Sequence, residues 1–148
     1  MPNLQKLEFY GVLGDKPTVT TSKLLPNFKR LHTVVMDGCP GFKQNILTWV
    51  AKCTTLQVIH IRGSLITDIS ILAACTSLHT LDLGGCVGVS DVSALATCSS
   101  LHTLGLACTS VTDVTALAHG TALRPRGLHG IGQEAMQHFI AEQGTPLD

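Results

Sequence analysis

The sequence has 148 residues, of which ten are basic and ten acidic, so its formal net charge is zero. A neutral chain sets up no whole-molecule field that draws it to nucleic acid or to an anionic membrane, and neither partner is expected. Hydrophobic residues make up 45% and charged residues only 14%, against about 25% charged in an average soluble protein. We expect a single domain over residues 1–148, with part of its surface covered by a partner or by more of a longer chain.

Targeting and membrane signals are not found in the sequence. No uninterrupted apolar run reaches the length of about 20 residues that spans a bilayer, and residues 1–6 lack the apolar stretch of a secretory signal peptide. A cytoplasmic or nuclear location is therefore expected, although a fragment cut from a longer protein would have lost its signal.

Taken from the N-terminus, the chain repeats a short leucine pattern. The repetition is plainest where residues 76–86 return in closely similar form at residues 99–108. A period of about 20 to 29 residues with leucines spaced L-x-x-L-x-L is typical of leucine-rich repeats. The units are separated by 22 to 27 residues and begin at Leu4, Leu31, Leu56, Leu78, Leu101 and Leu123.

Each unit opens with apolar residues that predict a short strand. Side chains alternate between the two faces of a strand, so the second and third members of each apolar triplet point inward together. Stacking the units places the strands about 4.8 Å apart in a parallel sheet of five to six strands. The triplets are Leu4, Leu7 and Phe9; Leu31, Val34 and Met36; Leu56, Ile59 and Ile61; Leu78, Leu81 and Leu83; and Leu101, Leu104 and Leu106.

A second pattern follows the strands of the regular units. An apolar residue, then Ser or Thr, then Asp recurs within residues 66–72, 89–95 and 111–117, and these polar side chains are expected to bond the backbone N–H groups of a tight turn. What remains of a 22-residue unit is too short for a full α-helix, which predicts a 3₁₀ turn or an extended return. The longer unit from Leu31 has room for a helix over residues 45–52, with Ile46, Leu47 and Val50 facing inward.

These units resemble the short leucine-rich repeats of internalins and of the regulatory subunit of type-one protein phosphatase. The unit from Leu31, with Cys39 after its strand and Cys53 before the next leucine, is similar to the cysteine-containing class of F-box proteins. The resemblance covers about residues 3–123. It implies an α/β fold, namely a right-handed solenoid with a concave parallel sheet that binds another protein and a 3₁₀ or short helical convex side, without catalysis or cofactor.

The sequence departs from that family after the strands and in the last unit. The asparagine that usually follows the strand is replaced by shorter or weaker hydrogen-bonding groups, and in the unit from Leu123 the expected second leucine is Arg126. The last unit is therefore predicted to lack a core residue. The replacements for asparagine are Cys39, Ser64, Cys86 and Thr109.

The segment 131–144 carries an apolar stripe at helical spacing. We expect a helix that covers the C-terminal end of the solenoid and is ended by Gly144 and Pro146. No comparable cap precedes Leu4, and an uncapped end would leave a route to self-association. The stripe consists of Ala135, Met136, Phe139 and Ile140.

Cysteines and histidines recur at equivalent positions without forming a metal motif. Cysteines 53, 75 and 98 each stand three residues before a leading leucine, and we interpret them as core thiols, because stacked coils hold them too far apart for an easy disulfide and no C-x-x-C occurs. His79 and His102 should be neighbours on adjacent coils. Two imidazoles could share a transition metal, but no carboxylate in their column completes a site, so no metal is predicted.

The outward positions of the strands form the candidate binding surface, since ligands of such solenoids bind there. Binding energy concentrates in a few aromatic or arginine anchors, which favours Tyr10 and Arg62. Pairing across strands, of Asp37 with Arg62 and of His60 with Asp82, is the alternative that would lock this surface. The candidate partner-binding residues are Glu8, Tyr10, Val35, Asp37, Val58, His60, Arg62 and Asp82.

The predicted function is an adaptor or scaffold module that binds an unknown protein partner on its concave sheet. The alternative is a structural spacer within a longer repeat array. Catalysis is not expected, because the sequence contains no G-x-S-x-G, phosphate-binding glycine loop or H-E-x-x-H motif. A short solenoid sheet also offers a shallow trough rather than a deep pocket.

Overall fold

A parallel sheet of six strands is the main element of the computed structural model, which describes residues 3–10, 29–39 and 44–144. The strands lie side by side in chain order, and each pairs in parallel with the next. Because every connection carries the chain back to start the next strand in the same direction, the chain winds as a solenoid, as predicted. The strands are β1 Lys6–Tyr10, β2 Thr33–Asp37, β3 Val58–His60, β4 Thr80–Asp82, β5 Thr103–Gly105 and β6 Leu128–His129.

The register of the sheet stacks equivalent residues of successive coils. Ile59 pairs with Leu81, Leu81 with Leu104, and Leu104 with Leu128. Ile59, Leu81 and Leu104 have no solvent exposure, so the predicted inward positions of these coils are confirmed. In the first coil Leu7 is only partly buried, and the side chain of Phe9 lies outside the described residues.

Short turns and helices form the opposite side of the solenoid. Two coils return through 3₁₀ turns at Ser70–Ala74 and Ser93–Thr97, and two more return through α1 Asn45–Val50 and α2 Leu117–Gly120. The predicted helix of the second coil is therefore confirmed, although it ends two residues earlier than expected. Its inward residues are buried as expected, and they are Ile46, Leu47 and Val50.

Aspartates begin the return turns by accepting backbone hydrogen bonds. Asp68 Oδ1 accepts from the N–H of Ser70 at 2.8 Å, and Asp113 Oδ1 accepts from the N–H of Thr115 at 2.9 Å. These bonds hold the pKa of both carboxyl groups below its ordinary value. The predicted capping role of these aspartates is confirmed, because the bonds satisfy N–H groups that a tight turn would leave unpaired.

The residues that replace asparagine bond the backbone around the strand exits. Cys86 Sγ donates to the carbonyl of Ile61 in the preceding coil at 2.8 Å, and Thr109 Oγ1 donates to the carbonyl of Leu106 at 2.8 Å. Ser64 Oγ lies 3.4 Å from Cys86 Sγ, so neighbouring coils are joined there as well. Cys86 and Ser64 therefore join neighbouring coils, whereas Thr109 braces the turn of its own coil.

Left-handed backbone recurs in the turn that follows each strand from β2 onward, one residue before the position where the family usually has asparagine. Gly38, Gly63, Gly85 and Gly130 have φ between 62° and 78°, a conformation that glycine adopts without a Cβ clash. In the fifth coil the equivalent residue is Cys108, with φ of 56° and an exposed side chain. The fifth coil therefore carries a conformational cost that its neighbours avoid.

The last coil restores the core position that the sequence pattern assigned to Arg126. A 3₁₀ turn at Pro125–Gly127 lengthens the unit, so that Leu128, only 3% exposed, pairs with Leu104, and Arg126 is exposed. The prediction that this coil lacks a core leucine is wrong. The interval of three residues between leucines has become five, and the extra two residues are taken up in the turn.

The C-terminal helix α3, Gln133–Gln143, packs against the last coil. Phe139 is fully buried in the common core, and Gln143 Nε2 donates to the carbonyl of Leu123 at 2.8 Å. Gly144 ends the helix in left-handed backbone with φ of 64°, as predicted; Pro146 lies outside the described residues. In the described part of the chain, no helix combines the length and apolar character needed to cross a bilayer.

Cysteines line the interior where the repeat pattern placed them. Cys75 and Cys98 have no solvent exposure, and burial raises the pKa of the Cys75 thiol to about 11. A thiol held in this state is a poor nucleophile at neutral pH. The prediction that these are core side chains agrees with their burial.

Candidate functional site

The side chains that point away from the core form the outward sheet face, which is ordered in three rows across the strands. The second row contains one residue from each of the six coils, and the other two rows contain one from each of the first five, because parallel strands in register bring equivalent positions together. The first row is Lys6, Thr33, Val58, Thr80 and Thr103; the second is Glu8, Val35, His60, Asp82, Gly105 and His129; the third is Tyr10, Asp37, Arg62, Gly84 and Ala107.

Three exposed side chains of strand β1 are joined by polar contacts. Lys6 Nζ lies 2.7 Å from Glu8 Oε1, and the Tyr10 hydroxyl donates to the same oxygen at 3.2 Å. The hydrogen bond from Lys6 holds the pKa of Glu8 below its usual value, and the bond to Glu8 raises the pKa of Tyr10. Tyr10 is 63% exposed, so an aromatic ring is available for contact at this end of the sheet.

A charged cluster lies at the centre of the outward sheet face. Asp82 Oδ2 accepts from Arg62 Nε at 2.7 Å and lies 2.6 Å from Arg62 Nη2, while Asp82 Oδ1 accepts from the N–H of Gly84 at 2.9 Å. Burial pushes the pKa of Asp82 upward, but the bonds from Arg62 and Gly84 outweigh it, and the pKa lies below its ordinary value. Asp82 is therefore ionised at neutral pH.

Arg62 is shared unequally between two carboxylates. Its Nη1 lies 3.9 Å from Asp37 Oδ2, a longer contact than those with Asp82. The expected pairing of Asp37 with Arg62 exists, but the main partner of Arg62 is Asp82, one coil further along. Half of the Arg62 side chain remains exposed, and pairs as exposed as this contribute at most about 1 kcal/mol to stability.

The predicted surface residues differ in how much they offer to a partner. Val35 lies in the second row, but it is only 7% exposed, so the expectation that it presents a binding surface is corrected. A valine flanked by neighbours in its row packs against them instead of facing solvent. Val58 and His60 are half-buried, and Glu8 is exposed.

A trough of about 390 Å³ opens beside the charged cluster, over strands β3 to β6. It exists because Gly105 and Ala107 bring little or no side chain to the outward sheet face. The repeat pattern did not predict this trough, since His129 enters it only through the two-residue lengthening of the last coil. The lining residues are His60, Arg62, Thr80, Leu81, Asp82, Thr103, Gly105, Ala107 and His129.

Two histidines stack beside the sheet, as predicted for adjacent coils. The rings of His79 and His102 lie parallel within 4°, with centroids 5.4 Å apart. Nδ1 of each ring bonds a backbone carbonyl, that of Ser77 at 2.8 Å and that of Ser100. Within residues 3–10, 29–39 and 44–144, no group of three or more His, Cys, Asp or Glu side chains is placed to hold a metal ion.

Solved structures identify the architecture. Internalin C2 of Listeria monocytogenes superposes with a TM-score of 0.58 at 24% identity, over 73% of this chain and 45% of that one. The chain folds as a leucine-rich repeat solenoid. The internalin InlF of the same organism gives a TM-score of 0.58 at 22% identity, over 80% of this chain and 40% of that one.

The leucine-rich repeat chain spans less than half the length of either internalin. At these identities the likeness concerns the fold, which agrees with the resemblance stated from the repeat pattern. No family model and no curated protein matches the sequence. The chemistry of the outward sheet face is therefore the main evidence for function.

Proposed function

We propose that this leucine-rich repeat chain is a protein–protein interaction module, in an adaptor or scaffold role, whose partner binds the outward sheet face. The observation that carries the proposal is the combination of Tyr10, 63% exposed, with a charged trough on one continuous face. An exposed tyrosine offers a large rigid contact area at low entropic cost, which is why such residues are frequent binding anchors.

The proposed contact residues are those outward side chains that remain accessible to solvent. Tyr10 and Glu8 form one end of the proposed interface, and the half-exposed Arg62 guanidinium with Asp82 forms its centre. Val35 is left out of the proposed interface, because it is only 7% exposed. The proposed contact set is Glu8, Tyr10, Asp37, Val58, His60, Arg62 and Asp82, with Thr103 and His129 added from the trough.

The proposal is tested by selecting binders and then mapping them. The purified chain is immobilised, a display library of natural protein fragments is selected on it, and one enriched fragment is titrated by calorimetry. Tyr10→Ala and His60→Ala remove outward side chains and should each weaken binding about tenfold or more. Ile71→Ala, which truncates an exposed residue of the Ser70–Ala74 turn on the other side, is the matched control and should leave binding unchanged.

The results of these titrations distinguish a partner interface on the sheet from a purely structural role of the same residues. Loss of affinity in both outward variants with none in the Ile71→Ala control supports an interface on the sheet. Equal loss in the control, or no loss in either outward variant, contradicts it. Circular dichroism of each variant establishes that the fold is retained.

A structural spacer within a longer repeat array is the second candidate. The cross-strand contacts of Arg62 with Asp82 and Asp37 favour it, because they satisfy charges within the chain instead of leaving them for a partner. Selection that returns no saturable binder would favour the spacer. In neither role do we expect catalysis.

A further inference from the structure

We propose that two copies of this chain associate through the free edge of strand β1, pairing their β1 strands antiparallel about Leu7. The inference goes beyond the proposed function, because it concerns the end of the sheet and requires no foreign partner. Three features of β1 carry it: backbone groups that no described strand pairs with, a core leucine that is only partly covered, and an order of charges that is complementary to itself.

The free edge of β1 presents backbone groups that no strand within residues 3–10, 29–39 and 44–144 pairs with. β1 stands first in the sheet order and pairs with β2 alone among these strands. The carbonyl of Gln5 accepts the N–H of Thr33 in β2 at 3.1 Å, and the backbone groups of successive residues point alternately to the two sides of a strand. Those of Lys6 and Glu8 therefore point to the free edge, whereas those of Leu7 point to β2.

The opposite end of the sheet is built differently. β6 has only two residues, Leu128–His129, and α3 packs against its coil. Short edge strands and a covering helix are two ways in which proteins prevent strands from pairing edge to edge. β1 has five residues, so it is the edge that can accept a further strand.

The core position in β1 is incompletely covered. Leu7 is only partly buried, whereas the residues at its position in the next three coils have no solvent exposure, and they are Val34, Ile59 and Leu81. Each of those residues has a neighbouring strand on both sides, but Leu7 has a described strand on one side only. A second β1 would place another Leu7 beside it, and burial of this apolar surface favours association.

The outward side chains of β1 carry opposite charges two residues apart. Lys6 and Glu8 lie on one face of the strand, and Lys6 Nζ is 2.7 Å from Glu8 Oε1. Antiparallel pairing about Leu7 sets Lys6 opposite Glu8 of the second copy, and Glu8 opposite its Lys6. Both pairs can exchange backbone hydrogen bonds, because these residues point to the free edge. Opposite charges across such a pair also stabilise it.

Other arrangements of two β1 strands fit less well. Antiparallel pairing about Glu8 would set two Glu8 carboxylates opposite each other, and like charges directly opposite destabilise a pair. Parallel pairing in register would set each charge beside its own kind. Pairing about Leu7 is isologous, so it closes a two-fold dimer and leaves no β1 edge from which a fibre could grow.

Such a dimer would extend the function proposed above. A two-fold axis perpendicular to the sheet keeps both outward sheet faces on the same side, so two copies of the contact set would lie on one continuous sheet. A partner with two matching sites would then bind more tightly than it binds a single chain, through avidity.

Sedimentation velocity of the purified chain tests the dimer. A small edge interface predicts weak association that rises with protein concentration and falls with added salt. A reducing agent is present throughout, because Cys108 is exposed and could otherwise link two chains through a disulfide.

Charge reversal tests the pairing. Lys6→Glu and Glu8→Lys each set like charges opposite each other in a dimer of the variant, and each should weaken association about tenfold or more. An equal mixture of the two variants should restore association, because every opposed pair is then again acidic with basic. Lys52→Glu and Glu142→Lys make the same changes at exposed positions outside β1, so they are the matched controls and should change nothing.

Hydrogen exchange tests the register. The amides of Lys6 and Glu8 should exchange more slowly at a concentration where the dimer predominates than at one where the monomer does. The Leu7 amide, which points to β2, should change far less. Slow exchange of the Lys6 amide at every concentration would show that its N–H is already bonded within the chain, and it would overturn the proposal.

A dimer that loses affinity in both single variants and regains it in their mixture supports the pairing about Leu7. A monomer at every concentration, a dimer that Lys6→Glu leaves intact, or a mixture of variants that fails to associate overturns it. Failure here leaves the proposed function standing, since binding of a foreign partner to the outward sheet face does not require a second copy.

Discussion

The last coil fills the core position of the strand by a different means from the two coils that begin at Leu78 and Leu101. In those two coils, leucines at a fixed interval of three residues place Leu81 and Leu104 inward. In the last coil the interval is five, and a 3₁₀ turn absorbs the difference so that Leu128 completes the row. The sheet register is therefore preserved by backbone geometry where the sequence repeat fails.

The last coil also lies closer to its neighbour. A Cβ placed on Gly127 would collide with the carbonyl oxygen of His102, and one on Gly130 would collide with the backbone of Ala107. By contrast, a Cβ on Gly63 in the third coil would have Gly38 Cα as its nearest neighbour among the described residues, at an ordinary van der Waals distance of 3.8 Å. Backbones can approach this closely because glycine has no side chain, and the coil from Leu101 shares the feature at Gly120, whose Cβ would collide with the carbonyl oxygen of Ala96.

Gly130→Ala should therefore produce the largest loss of stability. The new Cβ would lie 2.5 Å from Ala107 Cα and 2.8 Å from Ala107 Cβ, in addition to the cost of φ at 78°. We expect a loss on the order of 4 kcal/mol in the free energy of unfolding, measured by urea denaturation. Gly63→Ala, with φ of 65° and its nearest described contact at 3.8 Å, should cost only about 1 to 2 kcal/mol. Equal costs would contradict the close packing of the last coil.

Phe139→Ala tests whether the last coil needs its helical cover. The ring is fully buried in the common core, and truncating a buried phenylalanine costs about 3 to 5 kcal/mol. The neighbouring exposed His138 provides a control, since His138→Ala should stay within about 0.5 kcal/mol. Similar small effects of both substitutions in thermal unfolding would show that α3 does not seal the solenoid.

The sequence could predict the strands but not every residue on them. The L-x-x-L-x-L spacing placed Ile59, Leu81 and Leu104 correctly, because strand alternation is a local property. It could not foresee that Val35 would be covered, or that Arg62 would prefer Asp82 to Asp37, because both depend on side chains from neighbouring coils. The trough was missed for the same reason. A glycine in the second row was the available signal, yet its meaning required the position of His129.

Leu128→Ala distinguishes the observed register from the one that the repeat spacing suggested. Leu128 is 3% exposed and pairs with Leu104, so its truncation should cost about 2 to 5 kcal/mol, as Leu81→Ala should. Arg126→Ala, at the position where the spacing expected a leucine, should change stability by less than about 0.5 kcal/mol. A larger cost at Arg126 than at Leu128 in chemical denaturation would reverse the assignment.

Cys108→Gly should give the smallest change in stability, and it is the one substitution here that is expected to stabilise the fold. Cys108 holds left-handed backbone at φ of 56°, where four other coils have glycine. Relieving the steric cost, less the extra freedom that glycine gains in the unfolded chain, should stabilise the fold by about 0.5 to 1 kcal/mol. Cys108→Ala keeps a Cβ and should show no comparable gain, so a shift in melting temperature with alanine alone would contradict this explanation.

Hydrogen exchange of the Leu106 amide tests the continuity of the solenoid most directly. Leu106 N–H donates to the carbonyl of His129 at 2.8 Å, as Leu83 N–H donates to that of Gly105 at 2.9 Å. If the last coil is in register, both amides should be strongly protected, with exchange rates within about tenfold of each other. Exchange of Leu106 near the free-peptide rate, with Leu83 still protected, would contradict the sixth strand.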